Sequence, residues 1–101
     1  MVIYHHLDIK DSPDQNILDY FDQVFKIIND SRNNNVVINC QGGISRSSSF
    51  MIAYFLNCGN SYEESYNIVK SSRPVICPNR GFVEQLKKYE KYMNYLNSNF
   101  F

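Results

Sequence analysis

The residues best suited to chemistry stand together in Asn39-Cys40-Gln41-Gly42-Gly43-Ile44-Ser45-Arg46-Ser47-Ser48. Before them lies Val36-Val37-Ile38, a short, wholly apolar strand of the kind buried on both faces of a parallel sheet. After them Phe50 to Leu56 is apolar nearly all round, which predicts a buried helix. Strand, glycine loop and helix make an anion-binding geometry, because loop amides converge and the helix N-terminus adds partial positive charge. The same field stabilises a thiolate, so Cys40 is expected well below the free-thiol pKa of about 8.5, under roughly 7. A thiolate beneath a bound phosphate is set for in-line attack on phosphorus. Arg46 has the planar fork needed to grip two equatorial oxygens at once. Gly42 and Gly43 let the backbone turn its amides inward without a Cβ clash. Ser47 is placed to hydrogen-bond the Cys40 sulfur and to help it leave when a phosphocysteine is hydrolysed.

The rest of the chain has to position that loop. Val2 to Ile9 reads as a strand, with Ile3, Leu7 and Ile9 on one face. Asp11-Ser12-Pro13-Asp14 reads as a loop, with Ser12 and Gln15 spaced for a capping box. Ile17, Leu18, Phe21, Val24, Phe25 and Ile28 recur at helical spacing to about Asp30. Ser31 to Asn35 is a polar turn. Gly59 suits the stop of the helix through Leu56. Ser61 with Glu64 is a second capping box, opening a helix to about Ser72 that Arg73-Pro74 ends. Phe82, Leu86, Tyr89, Met93 and Leu96 mark a last helix. The pattern is α/β and forms a single domain over residues 1–101.

Composition narrows the function classes. The 101 residues carry 10 Lys+Arg against 10 Asp+Glu, and this zero balance argues against a general nucleic-acid binder. No apolar run approaches the roughly 20 residues of a membrane span, and the N-terminus lacks a secretory pattern. Cys40, Cys58 and Cys77 are odd in number and widely spaced, so neither a disulfide framework nor a zinc site is expected. A reducing compartment fits: the cytoplasm, with the nucleus also open. Cys58 and Cys77 read as core or loop residues. His5 and His6 are adjacent on a strand, point to opposite faces and cannot share a metal. Tyr89, Tyr92 and Tyr95 read as packing and surface, and Lys87, Lys88 and Lys91 as a solvated face.

Cys-x5-Arg followed by Ser, between a Val/Ile strand and a helix, resembles the cysteine-dependent protein tyrosine phosphatases. Cys-Gln-Gly-Gly-Ile-Ser-Arg-Ser is similar to the dual-specificity branch, whose pattern is His-Cys-x-x-Gly-x-Ser-Arg-Ser. Ala53-Tyr54-Phe55-Leu56 resembles that family's central helix. Pro78-Asn79 and Phe82 to Leu86 resemble its Ser-Pro-Asn segment and the helix that follows. The resemblance runs over essentially the whole chain. It implies a parallel-type sheet flanked by helices, and hydrolysis of phosphotyrosine, phosphoserine and phosphothreonine in phosphoproteins. Cys40 is then the nucleophile, Gln41 to Arg46 the phosphate loop, and Asn39 and Asn79 supporting residues. The general acid is an Asp on the loop about six residues before the next helix's apolar start, which selects Asp11 over Asp8 and Asp14. Asp8 falls inside the expected strand, and Asp14 suits helix capping. Neither a metal nor an organic cofactor is implied. The alternative is a weak or inactive relative that binds phosphoproteins through Arg46 and the loop amides.

Two departures from the family pattern stand out. Asn39 occupies the histidine position and cannot carry charge, so the thiolate loses part of its support. The family's strands before Val2 are also absent from these 101 residues. In the family arrangement this leaves a gap between the Val2–Ile9 strand and the strand ending at Asn39. A longer parent protein, a second chain or a natural truncation would each answer that gap. The isolated chain is therefore expected to dimerise, swap segments or aggregate.

Overall fold

The computed structural model describes residues 2–6, 8–30, 35–39, 44–72 and 76–99. In chain order these form β1 (Val2–His6), a 3-10 turn (Leu18–Tyr20) running into α1 (Phe21–Asp30), β2 (Asn35–Asn39), α2 (Ile44–Asn57), α3 (Tyr62–Ser72) and α4 (Arg80–Asn99). β1 and β2 pair in parallel, from Val2 opposite Asn35 to His6 opposite Asn39. α1 lies in the crossover that a parallel pair requires.

This pairing corrects the expected gap: the two strands are direct neighbours. The backbone N–H and C=O groups of an apolar strand need partners, and β1 supplies them along one edge of β2. β1 also ends at His6, so Asp8 lies beyond the strand rather than within it. The ladder with β2 closes at the His6–Asn39 pair, where β2 itself ends.

The entry to α1 differs as well. Ser12 and Gln15 do not form a capping box. The Gln15 N–H donates to the Ser12 carbonyl (3.0 Å), closing a turn, while Gln15 Oε1 accepts the Lys10 N–H (3.1 Å). The residue ahead of the Ile17 N-cap, Asn16, supplies a side-chain acceptor instead, its Oδ1 taking the Asp19 N–H at 3.1 Å. The Ser61–Glu64 box forms as the spacing predicts, with reciprocal bonds of 2.9 and 3.1 Å. Hydrogen bonding from the Ser61 backbone N–H, then from its side chain, holds the Glu64 carboxyl below its ordinary range.

α2 is the centre of the packing and touches α1, α3 and α4. Phe50, Ile52, Ala53 and Leu56 are buried on it, but Met51 is 37% exposed, so this helix keeps a solvent side. Phe21, Val24 and Phe25 from α1, Val69 from α3, and Phe82 and Leu86 from α4 complete the core with Ile9, Ile17 and Ile76. Phe21 stands edge-on to Phe50 and to Tyr89. Burial, then Asp22 and Tyr92, push the Tyr89 phenol up, so it stays protonated and donates to Asn57 Oδ1 at 3.0 Å. Tyr92 and Tyr95 are exposed, as are Lys87, Lys88 and Lys91. Cys58 and Cys77 are both exposed, in a turn and a loop, and neither joins the core.

The stop of α2 is set by Gly59 at φ +106°. The Gly59 N–H returns to the Leu56 carbonyl (3.1 Å) and the Asn60 N–H to that of Phe55 (3.2 Å), which is a Schellman pair. A Cβ there has open space, so the cost of Gly59→Ala is purely backbone strain. The substitution should lower unfolding stability by about 1–2 kcal/mol. Urea titration should show an earlier midpoint with the slope unchanged.

Candidate active site

Asn39 closes β2 and Ile44 opens α2, so the two elements flank the loop as the sequence predicts. Cys40, Gln41, Gly42 and Gly43 lie outside the described residues. Ile44 and Ser45 form the start of α2, and Arg46 follows in its first turn.

Arg46 is only 9% exposed. Its Nη1 donates to the Ile9 carbonyl at 2.6 Å. Its Nε is buried and has no hydrogen-bond partner among the described residues. A guanidinium taken this far from water is costly unless an opposite charge and further acceptors meet it. A planar donor set fixed at one nitrogen, lying in the first turn of a helix, suits an anion with several oxygens. Ser47 is half-buried on the next position of α2 and is engaged in contacts of its own.

Asp11 lies on the exposed segment after β1. The structure brings it to Asn79, whose Nδ2 donates to Asp11 Oδ1 at 2.8 Å. Asn79 is also the N-cap of α4, since its Oδ1 accepts the Phe82 N–H at 2.9 Å. One amide therefore starts the last helix and holds the carboxylate that the resemblance singles out. Of the competing carboxylates, Asp14 donates its own N–H toward Ser12 Oγ (3.4 Å), and Asp8 is exposed.

Three contributors carried no assigned role in the sequence. The Ile9 carbonyl is a backbone group and leaves no mark in a residue pattern. Gln85 lies on α4 and reaches the segment that follows Asp11. Its Oε1 accepts the Ile17 and Leu18 N–H groups (2.7 and 3.3 Å), and its Nε2 donates to the Gln15 carbonyl (2.9 Å). Gly81 is buried against Pro13. A polar Gln between Phe82 and Leu86, on the helix face that meets the core, was the available signal for the second of these.

No group of three or more His, Cys, Asp and Glu among the described residues is arranged to hold a metal ion. Among the same residues, no helix is long and apolar enough to cross a membrane.

The family model for the dual specificity phosphatase catalytic domain matches residues 2–92. The chain is 45% identical over 89 residues to a Dictyostelium discoideum protein named "Probable dual specificity protein phosphatase", an alignment covering 86% of this chain and 23% of that one. With mouse dual specificity protein phosphatase 19 it shares 34% over 90 residues, covering 86% and 41%. Among solved structures, the human tyrosine phosphatase-like serine/threonine/tyrosine-interacting protein matches with a TM-score of 0.79 at 39% identity, over 89% of this chain and 60% of that one. The chain spans less than half the length of either curated relative. Strand, loop and arginine-bearing helix agree with a family model that takes in nearly all of these residues, and the chain belongs to the dual specificity phosphatase family.

Proposed function

We propose that the chain hydrolyses phosphomonoesters of proteins, on tyrosine and on serine or threonine, through a phosphocysteine. The observation that carries this reading is the buried Arg46 in the first turn of α2, fixed at Nη1 and with Nε unpartnered among the described residues. A structural arginine would be expected to find acceptors for every buried nitrogen.

In the first step the Cys40 thiolate attacks phosphorus, and the bond from phosphorus to the substrate oxygen breaks. The proton of Asp11 goes to that oxygen, so a neutral alcohol or phenol leaves. In the second step water attacks the phosphocysteine and gives a proton to the Asp11 carboxylate. The sulfur–phosphorus bond breaks, and thiolate and phosphate are restored. Arg46 and the loop amides hold the equatorial oxygens in both steps, where charge on phosphorus must be met. Ser47 supports the sulfur as it departs. Asn39 offers a hydrogen bond but no charge, which makes the thiolate less stable than a histidine neighbour would. No lysine lies between Gln41 and Ser45, so multiply phosphorylated lipids lack the added charge that would select them.

The second reading is a phosphoprotein-binding module with little turnover. It is favoured by one likeness, to a solved protein named as tyrosine phosphatase-like and as interacting. Retention of both Cys40 and Asp11 favours the enzyme.

Three variants test the proposal together. Cys40→Ser should abolish hydrolysis of p-nitrophenyl phosphate while phosphopeptide binding persists, and retained hydrolysis would remove Cys40 as nucleophile. Arg46→Lys should lower kcat by roughly a hundredfold or more, since a point charge cannot replace the fork; near-normal turnover would make Arg46 structural only. Asp11→Asn should slow alkyl phosphates by about 10²–10⁴ and activated aryl phosphates much less. Equal losses on both esters would count against Asp11 as the acid.

A further inference from the structure

The acid loop and the start of α4 meet at three consecutive places. Asn79 bonds Asp11, Gly81 lies against Pro13, and Gln85 binds both sides of the chain at Gln15 to Leu18. The Gly81 contact is the tightest. A Cβ built on Gly81 would fall on the carbonyl oxygen, Cα and carbonyl carbon of Pro13, far inside the 3.0 Å that real Cβ atoms keep. All three clashing atoms are backbone, so no side-chain rotation relieves them. The chain would have to move two residues after Asp11.

Gly81 also stands where a glycine is otherwise unfavourable. It lies inside the first turn of a 20-residue helix, where alanine is the better helix former. Its φ is not positive, so no backbone conformation calls for glycine at this site. The remaining reason for glycine is the approach of the loop. Gln85 acts in the same sense. Ile17 and Leu18 open the 3-10 turn, where N–H groups lack helical partners, and Gln85 Oε1 takes both. Its Nε2 also reaches the Gly81 carbonyl at 3.3 Å, joining the two contacts on one helix face. Outside them the surface opens as a groove lined by Pro13, Asp14, Asn16, Leu18, Glu84 and Lys88, so a displaced loop has somewhere to go.

We infer that Gly81 and Gln85 are positioning residues that hold the 11–18 segment against α4 so that Asp11 meets the leaving oxygen. This rests on the reading of Asp11 as general acid. The clamp acts on the proton-transfer step alone, because neither residue belongs to the phosphate loop.

The test uses the full 101-residue chain carrying Gly81→Ala or Gln85→Leu. For each, kcat/KM, which reports the P–O cleavage and not the phosphocysteine hydrolysis common to both esters, is measured on phosphoserine and on p-nitrophenyl phosphate, with the Cys40 thiolate titration followed by alkylation rate against pH. The expected result is a loss of about tenfold or more on phosphoserine, within the range of general-acid effects. Loss on the aryl ester should be within about twofold, with the thiolate midpoint unmoved. Gly81→Ala combined with Asp11→Asn should be no slower than Asp11→Asn alone, as expected of residues acting through one group. Equal losses on the two esters, a shifted thiolate midpoint or multiplicative losses in the double variant would overturn the inference. Hydrogen exchange separates this from the fate of the acid assignment. In both variants the amides of residues 15–18 should exchange faster while those of α1 keep their protection, whether or not Asp11→Asn shows a leaving-group effect. Unchanged exchange at 15–18, or loss of protection throughout the chain, would overturn the clamp.

Discussion

A buried guanidinium constrains the rest of this molecule. Arg46 is placed in the first turn of α2 with Nη1 on the Ile9 carbonyl, and its charge is removed from water. Ionised groups are tolerated in such places only when hydrogen-bonded and paired. The bond to Ile9 fixes the distance between the end of the first strand's segment and the start of the central helix. The parallel register of β1 on β2 brings the exits of both strands to one end of the sheet. The Asp11 segment follows one exit, and α2 with Arg46 comes after the other.

The last helix sets the other dimension. Phe82 and Leu86 are fully buried and anchor α4 in the core with Phe21, Phe50 and Leu56. Its opposite duty is polar. Asn79 spends one side-chain atom on capping α4 and another on Asp11. Gln85 satisfies the N–H groups that open the 3-10 turn before α1. Core packing and loop position are thus joined in one rigid element, and a change in the seating of α4 is felt at the carboxylate. The Ser61–Glu64 box and the Gly59 stop belong to the helices behind it, where they fix the length of α2 and the start of α3.

Much of this was legible in the residues. The strand and the helix that flank residues 40–43 followed from an apolar run and the apolar helix after it. The α3 box and the Gly59 stop followed from local hydrogen bonding between residues three to five apart. Each of these rests on short-range stereochemistry, which a linear pattern records. Asp11 needed the resemblance to a known family, because a turn aspartate looks like any other.

The sequence by itself determined which residue types carry the chemistry and in what order the helices come. It also determined which faces of those helices are apolar. The tertiary structure alone decided that β1 pairs directly with β2 and that β1 ends before Asp8. It alone decided that the Ile9 carbonyl takes Arg46, that Gly81 lies against Pro13 and that Gln85 takes the Ile17 N–H. The physical reason is common to all of them. Each depends on a backbone group meeting a partner distant in the chain: Arg46 is 37 residues from Ile9, and Gln85 is 68 from Ile17. Backbone donors and acceptors are the same at every position, so only the fold says which of them is taken.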